Sequence, residues 1–220
     1  MRTRIKICCI SSVDEARRAI ALGADAIGLV GAMPSGPGVV DDQTIADIAR
    51  QAPPPVATFL LTSRQTAADI AEHVRLAGTN TVQIVRHIDP AEYAGLRNSL
   101  PGVKLVQVVH VEEAASVDLA IDYARWADAL LLDSGRPTAA TEELGGTGRT
   151  HDWVLSREIV EVVDRPVFLA GGLTPRNVGA AIGAVRPFGV DLCSGVRTNG
   201  QLDDDKLARF VAAVVEPAAG

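Results

Sequence analysis

The sequence predicts an α/β protein of the (β/α)8 barrel class, a single domain spanning residues 1–220. Short, continuous apolar runs alternate with amphipathic stretches eight times along the chain. Runs without in-out alternation belong to parallel strands that helices cover on both faces. The length of 220 residues leaves about 27 for each strand-helix unit, near the short end of the barrel range. Glycine-bearing strand ends come late, at Gly145-Gly146-Thr147-Gly148, Gly171-Gly172 and Ser194-Gly195. An open doubly wound sheet would carry its glycine-rich phosphate loop after the first strand, where this chain has Cys8-Cys9, whereas a barrel binds phosphate after strands seven and eight.

The elements follow in order. Ile5 to Cys8 is the first strand, and Ser12 and Glu15 have the spacing of a capping box for a helix that Gly23 stops. Ala26 to Val30 is the second strand, followed by a loop from Gly31 to Val40 and a helix from Asp42 to Arg50. Pro53-Pro54-Pro55 makes a stiff turn into the strand Val56 to Leu61, too short to separate domains. The helix Ala67 to Ala77, the pair Thr81 to Ile84 with Ala91 to Ser99, and the pair Leu105 to Val109 with Ala114 to Ala124 continue the alternation. Ala129 to Leu132 precedes the longest loop, Gly135 to Thr150, and a helix from Ser156 to Val162. Val167 to Ala170 leads to Thr174-Pro175, a capping residue before a proline suited to the first helical turn. Val190 to Cys193 and the helix Asp204 to Val214 complete the eight units.

Composition narrows the function. A net charge of −6 argues against a nucleic-acid partner, which would call for a basic face. No apolar run reaches the roughly 18 residues of a membrane span, and the basic start Met1-Arg2-Thr3-Arg4 lacks a signal-peptide apolar region. A cytoplasmic protein is expected. Cys8 and Cys9 are adjacent and Cys193 stands apart, so no disulfide framework is legible and a reducing compartment fits. His73, His87, His110 and His151 are scattered without metal-ligand spacing, so no metal is expected.

A barrel keeps its reactive groups at the C-terminal strand ends. Strand one offers Lys6 and Cys8 on one face with Cys9 on the other, and strand six is followed by Asp133. A thiol in an electropositive setting can act as a base, and a carboxyl in a semi-buried pocket can hold a proton to donate. The same residues also read as a small buried hydrophobe and a loop cap. The late glycines let backbone amides approach a bound phosphate.

Lys6-Ile7-Cys8, Leu130-Leu131-Leu132-Asp133-Ser134, Gly145 to Trp153, Leu169-Ala170-Gly171-Gly172-Leu173-Thr174-Pro175-Arg176-Asn177-Val178 and Gly189-Val190-Asp191-Leu192-Cys193-Ser194-Gly195-Val196 together resemble the phosphoribosylanthranilate isomerase family. Gly23-Ala24-Asp25-Ala26-Ile27-Gly28 adds a sixth segment, and order and spacing match over nearly the whole chain. The resemblance implies a ribulose-phosphate-binding type of barrel. It also implies a cofactor-free Amadori rearrangement of N-(5-phosphoribosyl)anthranilate in tryptophan biosynthesis, an aldose-ketose isomerisation of a small sugar-phosphate substrate. By the same resemblance Cys8 is the general base, Asp133 the general acid, Gly171, Gly172, Ser194 and Gly195 the phosphate ligands, and Gly146 and Gly148 part of a substrate loop.

The match has four departures. The glycine that usually follows the catalytic cysteine is Cys9, and the family's Ser-Pro-Arg after strand two reads Ser35-Gly36-Pro37-Gly38, without the arginine that helps bind the anthranilate carboxylate. The usual Gln-Leu-His-Gly after strand four reads Gln83-Ile84-Val85-Arg86, and the usual glutamate after Ser-Gly-Val is Arg197. These changes are expected on the carboxylate side of the site, with Arg86, Arg197 and His110 as candidate replacements and Arg86 the first choice. An isomerase of another sugar phosphate, or a non-catalytic phosphate-binding barrel, are the alternative readings. Oligomeric state is not legible in the sequence.

Overall fold

The computed structural model describes residues 2–135 and 152–215. Eight parallel strands, β1 (Arg4–Ile7), β2 (Ala26–Val30), β3 (Ala57–Thr62), β4 (Thr81–Ile84), β5 (Lys104–His110), β6 (Ala129–Asp133), β7 (Val167–Leu169) and β8 (Gly189–Leu192), pair in sequence order. β8 closes the barrel on β1 with Lys6 in register with Asp191. Outside lie α1 (Val13–Ala21), α2 (Asp42–Gln51), α3 (Ala67–Ala77), α4 (Glu92–Ser99), α5 (Ala115–Ala124), α6 (Trp153–Val162), α7 (Val178–Val185) and α8 (Asp204–Val215). A short antiparallel pair, β9 (Arg197–Thr198) and β10 (Gln201–Leu202), precedes α8.

The chemistry of each boundary is local. Ser12 caps α1 by accepting the Glu15 amide at 3.1 Å, while the Glu15 carboxylate accepts from the Ser11 amide instead of the Ser12 amide that a full capping box would use. Asp41 and Thr66 cap α2 and α3 in the same way, and Asp152 starts α6 before Trp153. The expected helix start at Thr174-Pro175 is corrected: Asn177 accepts from the Thr174 amide and donates to the Gly172 carbonyl, so residues 175–177 form a turn and α7 begins at Val178.

Burial follows from strand parity. Ile27, Leu29, Leu60, Val82, Leu130, Leu132 and Leu169 point outward into a continuous layer beneath the helices. Inside the barrel a second cluster contains Cys8, Cys9, Val30, Phe59, Leu61, Val108, Leu131, Phe168 and Ala170. The closed barrel packs its lower interior with these side chains and leaves its C-terminal mouth for a site. Among the described residues no helix is long and apolar enough to cross a membrane.

Candidate active site

The strand C-termini surround an open cleft. Cys8 follows β1 and Asp133 ends β6, and both line it. Gly171, Gly172 and Leu173 follow β7, and Cys193 and Ser194 follow β8, forming another part of the wall. Met33, Ser35, Gly36 and Pro37 bring the loop after β2 to the same cleft, along with Gln83, Val85 and Asp191.

Beneath the cysteine lies an ion pair. Lys6 Nζ is 2.9 Å from Asp191 Oδ2, with the lysine side chain fully buried and the aspartate 7% exposed. The ammonium also sits 5.2 Å from the Phe59 ring centre. Gly28 on β2 makes room for both strand-one side chains: a methyl group there would fall 2.9 Å from Cys8 Sγ and 3.0 Å from Lys6 Nζ. Burial opposes the charge on Lys6, but Asp191 and Cys8 outweigh it and hold the ammonium above its ordinary pKa.

The two candidate proton carriers are both shifted upward. Burial pushes the Cys8 thiol up to about 11, with Lys6 pulling the other way. Burial likewise lifts Asp133 to about 6, against the Ser134 amide that donates to its carboxylate at 2.7 Å. A carboxyl in that range can hold a proton near neutral pH and release it in a reaction.

Gly171 and Gly172 have φ of 83° and 61°, the left-handed region that favours glycine. Gly195 sits behind Ser194, where an added Cβ would collide with the Leu173 carbonyl. The Gly171 and Gly172 backbone therefore reaches the cleft with no side chain in the way, whereas the room left by Gly195 is filled by the Leu173 backbone. Gly146 and Gly148 lie outside the described residues.

The family model described as N-(5'phosphoribosyl)anthranilate (PRA) isomerase matches residues 5–213. The chain belongs to this family. N-(5'-phosphoribosyl)anthranilate isomerase 2 of Methanosarcina mazei is 38% identical over 210 residues, covering 94% of this chain and 92% of that protein. The phosphoribosyl anthranilate isomerase of Thermococcus kodakaraensis superposes with a TM-score of 0.80 at 31% identity, covering 97% of this chain and 98% of that one. A phosphoribosyl anthranilate isomerase solved in complex with reduced 1-(o-carboxyphenylamino)-1-deoxyribulose 5-phosphate gives 0.81 at 26%, covering 97% and 98%.

Against the phosphoribosylanthranilate isomerase pattern, the departures do not all fall where the sequence placed them. Arg197 is corrected first. Its guanidinium pairs with Glu15 at 2.8 Å, both side chains nearly buried, and donates to the Cys9 and Gly200 carbonyls. It stands at the seam between the first and last units and not on the cleft wall. His110 donates from Nε2 to the Val85 carbonyl at 3.1 Å and lines a separate hollow with His87, Glu112 and Ser116. Arg86 donates to Gln65 Oε1 at 3.4 Å and is likewise absent from the cleft wall.

Cys9 is the second correction. It adopts φ of +62° in the turn after β1, a conformation suited to the glycine usual there, and is joined by a disulfide to Cys193. Their Cα atoms are 5.8 Å apart across 184 residues of sequence. The absence of a legible disulfide framework reflected spacing alone, and barrel closure supplies the proximity. Lys6 and Asp191 were missed as a pair for the same reason, although the shared face of Lys6 and Cys8 was a signal.

Proposed function

We propose that this chain isomerises N-(5-phosphoribosyl)anthranilate to the corresponding 1-deoxyribulose 5-phosphate, an intramolecular redox step of tryptophan biosynthesis. The observation that carries the reading is the joint presence, on one cleft, of a thiol and a raised-pKa carboxyl beside a glycine-built strand end. Asp133 protonates the furanose ring oxygen, the ring opens, and the nitrogen lone pair forms an iminium ion. Cys8 removes the C2 proton, and the resulting enolamine tautomerises to the ketone. One proton enters the substrate and one leaves, so no electrons are exchanged with the protein and no cofactor is called for.

Gly171, Gly172, Ser194 and Gly195 are assigned to the phosphate through backbone amides, with the Ser194 hydroxyl as a further donor. Gly146 and Gly148 are assigned to the loop that meets the substrate. The carboxylate partner is assigned to Arg86, one residue beyond the cleft-lining Val85; Arg86→Ala would raise KM about tenfold, and unchanged kinetics would remove it. A cytoplasmic location accompanies this role.

The test is turnover of freshly generated phosphoribosylanthranilate by the purified chain, beside Cys8→Ser and Asp133→Asn. Activity in the wild type with losses of about 10² to 10⁴ in each variant is expected. An isomerase for another sugar phosphate is the second reading, favoured because no arginine or lysine among the described residues lines the cleft. Phosphate binding without turnover of this substrate would select it.

A further inference from the structure

The Cys9–Cys193 disulfide lies in the wall of the cleft, where the neighbouring strands β1 and β8 end. Cys9 immediately follows Cys8, and Cys193 immediately precedes Ser194, so the bond ties the proton-transfer end of β1 to the phosphate end of β8. The two sulfurs differ in access. Cys9 is buried, whereas Cys193 is partly exposed, so an incoming thiolate meets Cys193.

Cys9 also has a second partner in reach. Its sulfur lies 3.6 Å from the Pro37 carbonyl oxygen in the loop after β2, an acceptor for a thiol proton. The backbone around Cys9 keeps another anchor when the bond is broken, because Arg197 donates to the Cys9 carbonyl while pairing with buried Glu15. Breaking the bond would therefore remove the side-chain tether on Cys193–Ser194, leaving the Val196 amide on the Cys193 carbonyl and the Arg197 amide on the Ser194 carbonyl, while β1 stays in place. In a reducing compartment, disulfides of this kind are usually transient or redox-sensing.

We propose that Cys9 and Cys193 form a redox-exchangeable site for dithiol reductants, and that its state sets how tightly the cleft holds a phosphate. The proposal rests on the phosphate assignment above. A dithiol's thiolate attacks Cys193 Sγ, the S–S bond breaks, and its electron pair goes to Cys9 Sγ, which takes up a proton and turns to Pro37. The reductant's second thiol then displaces Cys193. Two electrons and two protons reach the protein, and the reductant leaves as a disulfide. In the oxidised state the loop carrying Ser194 is already ordered for an anion, and in the reduced state binding has to order it.

The experiment compares the full chain after oxidised and after reduced dithiothreitol, counting thiols in denaturant and titrating each form with inorganic phosphate by calorimetry. One thiol in the oxidised form, three in the reduced form, and roughly fivefold weaker phosphate binding on reduction are expected. Cys193→Ser should bind at the reduced value in both conditions, and it leaves the Cys9 backbone untouched. Three thiols after oxidation, or equal binding by forms with one and three thiols, overturns the proposal while the phosphate assignment stands. Absence of phosphate binding in both forms removes the phosphate assignment and the proposal with it.

Discussion

Replacing Gly28 with alanine moves the proposed base without touching it chemically. The new methyl carbon would lie 2.9 Å from Cys8 Sγ, 3.0 Å from Lys6 Nζ and 3.1 Å from the Cys8 Cα. Comfortable contacts of this kind are about 3.5–4.0 Å, so something must retreat by roughly 0.5–1 Å. The lysine end can swing, but a contact to Cys8 backbone cannot be relieved by a side-chain rotation. A misplacement of about 1 Å at a reacting group is worth roughly 100-fold in rate. Overpacking should also destabilise the barrel by about 1–3 kcal/mol. Steady-state kinetics of Gly28→Ala should therefore show kcat falling about 30- to 100-fold, with inorganic phosphate bound as in the wild type because Gly28 lies on β2 and the proposed phosphate contacts follow β7 and β8. A folded variant whose kcat stays within about threefold of wild type would refute the placement of Cys8 as the reacting base.

Asp133 carries a linkage. Its folded pKa of about 6 lies above the ordinary 3.8, so the folded state holds the proton more tightly and stability from this group falls as pH rises from about 4 to about 6. Asp133→Asn should thus be more stable than wild type by about 3 kcal/mol at pH 8, with the difference falling below about 1 kcal/mol near pH 4 in thermal melts; equal gains at both pH values would contradict it. Lys6→Met leaves Asp191 buried without its cation and should cost about 3–5 kcal/mol in denaturant unfolding, much of it restored by Lys6→Met combined with Asp191→Leu. With Cys9 and Cys193 bonded, Cys8 is the free cysteine, and burial lifts it to about 11. Its alkylation by iodoacetamide should rise about tenfold per pH unit between about 7 and 10, and a pH-independent rate would remove the burial argument.

The electrostatics of the cleft suit a reaction that creates its own charge. Burial keeps Cys8 a thiol and leaves a minority of Asp133 protonated near neutral pH. In the proposed reaction, once Asp133 gives a proton to the ring oxygen, the substrate would become an iminium cation. That cation adds to the field of Lys6, which already pulls Cys8 toward thiolate. It also acidifies the C2–H bond. In the proposed step Cys8 first gives its thiol proton to solvent in the open cleft, an ionisation that the cation favours and the carboxylate left on Asp133 opposes, and the thiolate then takes the C2 proton.

Local information in the sequence reached the strands and both ends of α1, at Ser12 and Gly23, because those depend on neighbours along the chain. Ile27, Leu29 and Leu130 read as strand interior because both faces of β2 and β6 are covered, and Ser12 reads as a cap because its partner is three residues away. The Thr174-Pro175 start came a turn early: the Thr174 carbonyl accepts from the Asn177 and Val178 amides while the Asn177 side chain bonds back to Thr174 and Gly172, and α7 begins at Val178. The larger omissions, Lys6 with Asp191, Cys9 with Cys193 and Glu15 with Arg197, share one cause: each joins the first unit to the last. Their proximity exists only once β8 pairs with β1, and no spacing along the chain encodes it. The departures at Cys9 and Arg197, which looked like two losses on the carboxylate side, are neighbours at that seam. A non-glycine residue at φ of +62° carries backbone strain of about 1–3 kcal/mol, and the disulfide together with the Arg197 hydrogen bond hold it there. Residues that share one strained turn should not behave independently when exchanged. In denaturant unfolding after reduction, where the Cys9–Cys193 bond no longer contributes, Cys9→Gly should be stabilising by about 1 kcal/mol because it relieves the turn, whereas Arg197→Ala should cost about 3–5 kcal/mol because it leaves Glu15 buried without its cation; a loss for Cys9→Gly under those conditions would remove the strain argument.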